Sequence, residues 1–188
     1  MSNEPRIFAP RCTTLQPVEV VHENPWFSVL NRGGYYTVEP HQLQVIVLPV
    51  VEEQRIVMVR VKRPVMADAL LELPAGAVQD QETPVQAAAR ELAEETGIVV
   101  NDPGRFEVLP PVCVNPNRNP LLASTFRVSL SLQEYESRTG SDDEIAEVVL
   151  LDYAQIVDRM CAGAFFVTTP MAVIARHLLG SMYGVNKH

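Results

Sequence analysis

The sequence predicts a layered α/β (α+β) domain: a mixed β-sheet with one early helix and two late ones, preceded by a β-hairpin region. Three observations predict it. Short runs rich in Val, Ile, Leu and Tyr recur up to Leu73 and again from Phe106 to Leu151. A strongly capped helix separates the two groups, and two further capped segments close the chain. The 188 residues carry no repeat or low-complexity tract and are enough for one domain with a real core.

The elements follow in order. Residues 1 to about 25 are polar and proline-containing, with a brief alternation at Leu15, Val18 and Val20, which suits a loose arm, an edge strand or a strand paired with another subunit. Trp26 to Thr37 reads as a hairpin turning at Asn31 to Gly34. A second hairpin joins Leu43–Val50 to Ile56–Lys62 through Glu52, Glu53 and Gln54, with Pro49 near the end of its first strand, where a lost donor is tolerable. Leu70 to Leu73 is an apolar run that Pro74 stops, delivering the chain into Ala75-Gly76. Thr83 as N-cap, Pro84 at N1, Gln86 at N3 and Gly97 beyond the end define the early helix.

Phe106–Leu109 and Leu121–Leu132 read as strands. The stretch VCVNPNRNP between them reads as a loop, because its Asn and Pro residues oppose regular pairing. An acidic loop, Ser141 to Glu144, precedes a strand at Val148–Leu151. One helix follows Asp152 and ends near Gly163; the last starts with Thr169 as N-cap and Pro170 at N1. This divides the chain into an arm and hairpin, residues 1–40, a possible dimerisation element, and a main domain, residues 41–188.

Composition narrows the function classes. A formal net charge of −8 opposes a general nucleic-acid surface, which needs clustered Lys and Arg. A small anionic substrate stays open, since a pocket or bound cation can reverse the local field. Cys12, Cys113 and Cys161 are odd in number and widely spaced, so they read as buried or free thiols in a reducing cytoplasm. No apolar signal core and no run approaching a membrane span of roughly 18 residues is present, which again points to the cytoplasm and to no membrane partner.

At about 100° per residue, the early helix places Val85, Ala88, Ala89, Leu92 and Thr96 on one arc and Glu91, Glu94 and Glu95 on another. Glu91 and Glu95 repel at i and i+4, and Arg90 is the only basic residue beside them. A solvated face with an ordinary Arg90–Glu94 pair would account for a charge run alone. A bound cation would also account for it; oxygen-only ligands suit Mg²⁺ or Mn²⁺, and no His or Cys in the segment invites zinc.

The segment GAVQDQETPVQAAARELAEETGI resembles the Nudix box at every specified position: Gly76, Glu82, Arg90, Glu91, Leu92, Glu94, Glu95, Gly97 and Ile98. The resemblance implies the Nudix fold, a mixed sheet sandwiched between helices, from roughly Leu43 to the last helix. It implies Glu91 and Glu95 as the main metal ligands, Glu94 as a further or water-mediated one, and Ala75 as a backbone ligand. Arg90 would orient these acids, Glu82 would be a secondary ligand or structural partner, and Gly76 would admit the ion closely. The implied reaction is Mg²⁺-dependent hydrolysis of a diphosphate bridge.

The runs ELPAG (Glu72–Gly76) and VRVKRP (Val59–Pro64) are similar to those of the ADP-ribose and nucleotide-sugar pyrophosphatase branch. That branch implies Arg63, and Arg60 with it, as diphosphate contacts. It also implies a homodimer built through the N-terminal strands, and base stacking by residues such as Trp26, Phe27, Tyr35 or Tyr36. A catalytic glutamate in an acidic loop is implied as well, for which Glu144 is chosen over Asp142 and Asp143. The stretch Asn115 to Pro120 departs from the loop usual in ADP-ribose enzymes, so the linked group stays open. The alternatives are a nucleoside triphosphate or RNA-end pyrophosphohydrolase, and a non-catalytic nucleotide-sensing regulator.

Overall fold

The computed structural model describes residues 12–184, so the first part of the expected N-terminal arm lies outside the described residues. Val18–Glu23 (β1), Phe27–Arg32 (β2) and Tyr35–Pro40 (β3) form a three-stranded antiparallel sheet in that order. The β2–β3 turn is made by Gly33 and Gly34, at φ of 56° and 94°, values that glycine tolerates and most residues do not. The Asn31 carboxamide oxygen accepts from Gly34 N at 2.8 Å and fixes that turn. Among the described residues β1 is an edge strand, exposed along its whole length.

The second sheet has seven strands: Gln44–Val51 (β4), Arg55–Arg63 (β5), Asp68–Glu72 (β6), Ala75–Ala77 (β7), Phe106–Asn115 (β8), Asn119–Leu130 (β9) and Ile145–Asp152 (β10). Its order is β10-β5-β4-β9-β8, with β6 beside β5 and β7 beside β4. β4 and β9 run parallel while the other pairs are antiparallel, so the sheet is mixed, as expected. The helices are Pro84–Thr96 (α1), Leu132–Glu136 (α2), Tyr153–Cys161 (α3) and Thr168–Tyr183 (α4).

Burial on both faces explains why β4 reads as the unbroken apolar run VIVLPVV. Ile46, Leu48 and Val50 pack under α3 and α4 with Ile156, Ile174 and Phe165. Val45, Val47 and Val51 pack under α1 with Ala88 and Leu92. The result is the expected sandwich of helix, sheet and helix.

β4 also divides the sheet. Its upper end pairs with β5 at Val50–Ile56 and Val51–Arg55, whereas its lower end pairs with β7 at Gln44–Ala77, Val45–Gly76 and Ile46–Ala75. Pro49 pairs with Val128 of β9 but sits where β4 leaves β5, and Val47 two residues earlier donates to Pro74 O on that side, so the N–H that Pro49 lacks faces the fork. β5 takes β6 as its partner below that point, from Val59–Glu72 to Arg63–Asp68. The chain from Glu72 to Ala77 is thereby wedged into the opening.

Three expectations are corrected. VCVNPNRNP is not a loop: β8 runs to Asn115, β9 begins at Asn119, and only the tip between them turns. Pro116 lies in the turn itself, and Pro120 falls opposite the register shift between Cys113 and Asn115 and before the stretch of β9 that pairs with β4, which begins at Ser124. The strand expected to reach Leu132 ends at Leu130, because Ser131 and Glu134 form a capping box that starts the short α2. The last helix begins at Thr168 after Val167, which offers no side-chain cap, so Thr169 lies inside it and not at its N-cap. Cys12, Cys113 and Cys161 are free and all three are exposed. Among the described residues no helix is long and apolar enough to cross a membrane.

Candidate active site

The site is built on α1, whose start and end agree with the sequence reading. Thr83 Oγ1 accepts from Gln86 N, the Gln86 side chain accepts from Thr83 N, and Gly97 ends the helix at φ 72°. This cap fixes the rotation of the helix, and with it the direction of the acidic arc.

The arc is not a solvated face. Glu91 is only 8% exposed and lies against β7. A Cβ on Gly76 would stand 2.0 Å from Glu91 Oε1, so glycine is needed there for close approach. Glu95 Oε2 accepts from Ala75 N at 3.2 Å. Burial pushes Glu95 up to about 8, against the opposing pull of that N–H, and burial raises Glu91 too.

Arg90 is the organiser. Its Nε and Nη2 hold both oxygens of Glu82 at 3.0 Å, its Nη1 donates to Glu91 Oε1 and Glu94 Oε2 at 2.8 Å, and its Nη2 donates to Ala77 O at 2.8 Å. Glu82 also accepts from Gln79 N, so one guanidinium ties the 77–82 loop to the helix. These bonds hold Arg90 well above its ordinary pKa. We expect Arg90→Ala to lower stability by about 2–4 kcal/mol, because it strands a buried carboxylate without its counter-charge. Urea titration checks this; wild-type stability would show that Arg90 does not organise the loop.

Among the described residues no three Asp, Glu, His or Cys side chains form a ready cage, because the Arg90 guanidinium lies between Glu82, Glu91 and Glu94. The donors nevertheless fit a hard divalent cation. Glu91, Glu94 and Glu95 each keep one oxygen outside these bonds, the Gly76 cradle leaves no Cβ in the way, and all the donors are oxygen.

Other expected residues divide into two groups. Arg63 is brought close: its Nε and Nη2 grip both oxygens of Glu72 at 2.8 and 2.9 Å, and the charges of Glu95 and Glu144 act on it. The acidic loop is pinned nearby, with Asp142 N donating to Glu94 O at 3.0 Å and Lys62 N to Glu144 O at 2.9 Å. Arg60 is not brought in. It pairs with Leu71, on the face of the sheet opposite to Arg63, and its Nε lies 3.3 Å from Glu147.

A cavity of about 490 Å³ opens beside β7, a size suited to a small ligand. Trp26 and Phe27 form one wall, β7 contributes Ala75 and Ala77, and α4 contributes Thr169 and Pro170. Tyr36 is not among the lining residues; its carbonyl instead accepts from Arg118 Nη1 at 3.1 Å. The sequence reading missed Glu72 as the partner of Arg63, and missed Val38, Val114 and Asn119 in the cavity wall. The alternation of Asn119 with Leu121 and Ala123 was the available signal.

Comparisons with known proteins agree with this geometry. The NUDIX domain matches residues 40–165. The chain is 31% identical over 128 residues to a mouse (Mus musculus) ADP-sugar pyrophosphatase, a match covering 63% of this chain and 56% of that protein. The chain thus spans little more than half the length of this curated relative. A solved structure described as an ADP compounds hydrolase superposes with a TM-score of 0.68 at 18% identity, over 93% of this chain and 96% of that one, and shows the shared fold.

Proposed function

The chain belongs to the Nudix family, and from that premise we propose that it hydrolyses the diphosphate bridge of a nucleoside diphosphate linked to another group, ADP-ribose or a nucleotide sugar. The products are a nucleoside monophosphate and a sugar phosphate. The observation that carries this reading is a carboxylate cluster on α1 and an aromatic-walled cavity meeting at one three-residue strand, β7. The relative named for ADP-sugar cleavage supports the substrate class.

Glu91, Glu95 and Glu94, with the backbone of Ala75, would hold a divalent cation, Mg²⁺ or Mn²⁺ in its place. When bound, such an ion neutralises diphosphate oxygens and acidifies a water. Arg90 keeps the carboxylates aimed while remaining tied to Glu82. Arg63 has Nη1 left over from its fork with Glu72 to offer to a phosphate oxygen. Glu144 acts as general base from the loop beside Arg63, accepting the proton of the attacking water.

The test is hydrolysis of ADP-ribose in ¹⁸O-labelled water with Mg²⁺ and with excess EDTA. The label is expected on a phosphate and not on the anomeric oxygen, with turnover abolished by EDTA and restored by Mg²⁺ or Mn²⁺. Label on the sugar carbon, or full turnover after the bound metal is stripped, would end the reading.

We also propose a homodimer formed through residues 1–40, acting in a reducing cytoplasm. Among the described residues no strand pairs with the outer edge of β1, and Val20 and Val21 are 62% and 55% exposed, a combination that natural sheets rarely leave uncovered. Light scattering should give twice the chain mass; a strictly monomeric mass at working concentration refutes the dimer.

A further inference from the structure

The tip between β8 and β9 is fastened to the N-terminal sheet. Val38 N donates to Arg118 O at 2.6 Å, and Arg118 Nη1 donates to Tyr36 O at 3.1 Å. Two sheets that share no ladder are thereby tied at the mouth of the cavity. The residue next to this clasp is Asn119, which lines the cavity with Leu121 and Ala123, the alternate positions of β9.

Asn119 is held in one orientation. Its Oδ1 accepts from Leu121 N at 3.3 Å, which leaves Nδ2 as the atom turned away from the backbone. Among the described residues Nδ2 has no protein partner. The carboxamides of Gln42 and Gln44 also line the cavity, but Gln42 is exposed and Gln44 pairs in register with Ala77, at the β7 end. Asn119 instead follows Arg118, which is bonded to Val38, and shares the cavity lining with Val38, Trp26 and Phe27. A flat apolar wall with a single fixed N–H donor beside it suits an aromatic heterocycle: the ring stacks, and one ring nitrogen or carbonyl accepts.

On the reading that the substrate is a nucleoside diphosphate compound whose base stacks at Trp26, as the branch resemblance implies, we infer that Asn119 Nδ2 reads a hydrogen-bond acceptor on the edge of that base. The first residue of β9, just past the hairpin tip, thus supplies base recognition.

Trp26 is the sole tryptophan of the chain, so its fluorescence reports the site directly, without turnover. AMP titrated into the wild-type protein should quench it saturably. Asn119→Asp keeps the shape and the acceptor for Leu121 N while removing the donor, so AMP affinity should fall roughly tenfold. Ribose 5-phosphate, which has no base, competes with ADP-ribose for hydrolysis; its inhibition constant should be the same in wild type and variant.

Wild-type protein that AMP does not quench, or an Asn119→Asp variant that binds AMP as wild type does, overturns the inference. So does an equal loss for AMP and ribose 5-phosphate, which would make Asn119 a merely structural residue. Should Asn119→Asp fail to fold, the wild-type protein still decides: AMP must bind at least tenfold more tightly than an AMP analogue whose adenine ring nitrogens are replaced by carbon, and equal binding overturns the inference. ADP-ribose hydrolysis by the wild type tests the enzymatic reading separately, since quenching requires no catalysis.

Discussion

Glu95→Gln should lower turnover by roughly a thousandfold or more while the protein remains folded. The substitution keeps the shape and removes the charge of a carboxylate that burial already disfavours. Glu95 with its proton on resembles glutamine, so the fold should tolerate the change, and a far-ultraviolet spectrum and melting curve like the wild type's are expected. Glu91→Gln should behave likewise, with some added loss of stability, since Glu91 also holds Arg90. Glu144→Gln should differ in kind, reducing kcat and leaving KM nearly intact. Wild-type turnover in both Glu91→Gln and Glu95→Gln would place the chemistry elsewhere. If Glu144→Gln is silent and Asp142→Asn or Asp143→Asn is crippled, the loop is right and the choice of residue within it is wrong.

Gly76→Ala should be nearly as damaging to activity, through one methyl group. That methyl would lie 2.0 Å from Oε1 and 2.2 Å from Cδ of Glu91, so the carboxylate must move. The backbone of Gly76 is not in the left-handed region, so no strain adds to the clash. Displacing a reactive group by about 1 Å can cost on the order of a hundredfold in rate, and we expect kcat to fall by at least about that factor. The melting temperature should move by only a few degrees, because the displaced group is the end of a side chain. A variant with wild-type kcat would mean that Glu91 does not work from its position against β7.

The reactive half of the site was readable in the sequence because it is local. Residues 72–98 contain the wedge, the cradle glycine, the cap at Thr83 and all the box glutamates, and fixed gaps on a capped helix translate directly into positions in space. The two hairpins, Trp26 to Thr37 and Leu43 to Lys62, were readable for the same reason.

The cavity was not readable, since its walls come from residues near 26, 38, 75, 119 and 169. Nothing in any one of those segments announces the others. Pro116 and Pro120 read as breakers, yet Pro116 occupies the turn and Pro120 sits beside a register shift, where no ladder needs its donor. Val167 gives no capping signal, so the start of α4 was misplaced by reading Thr169 and Pro170 as a cap. Arg60 and Arg63 looked alike in VRVKRP; three residues along a strand put them on opposite faces, and the neighbours Glu147 and Glu72 show the outcome.

The thinness of β7 has a consequence of its own. Its side chains alternate, so Ala75 and Ala77 face the cavity while Gly76 faces Glu91. A strand of period two cannot shift by a single position without exchanging its faces. Deleting or inserting one residue between Glu72 and Ala77 would set a methyl group against the carboxylate and leave glycine toward the ligand, spoiling both halves of the site in one step. Evolution can therefore lengthen the tips that surround this partition far more freely than it can change its phase.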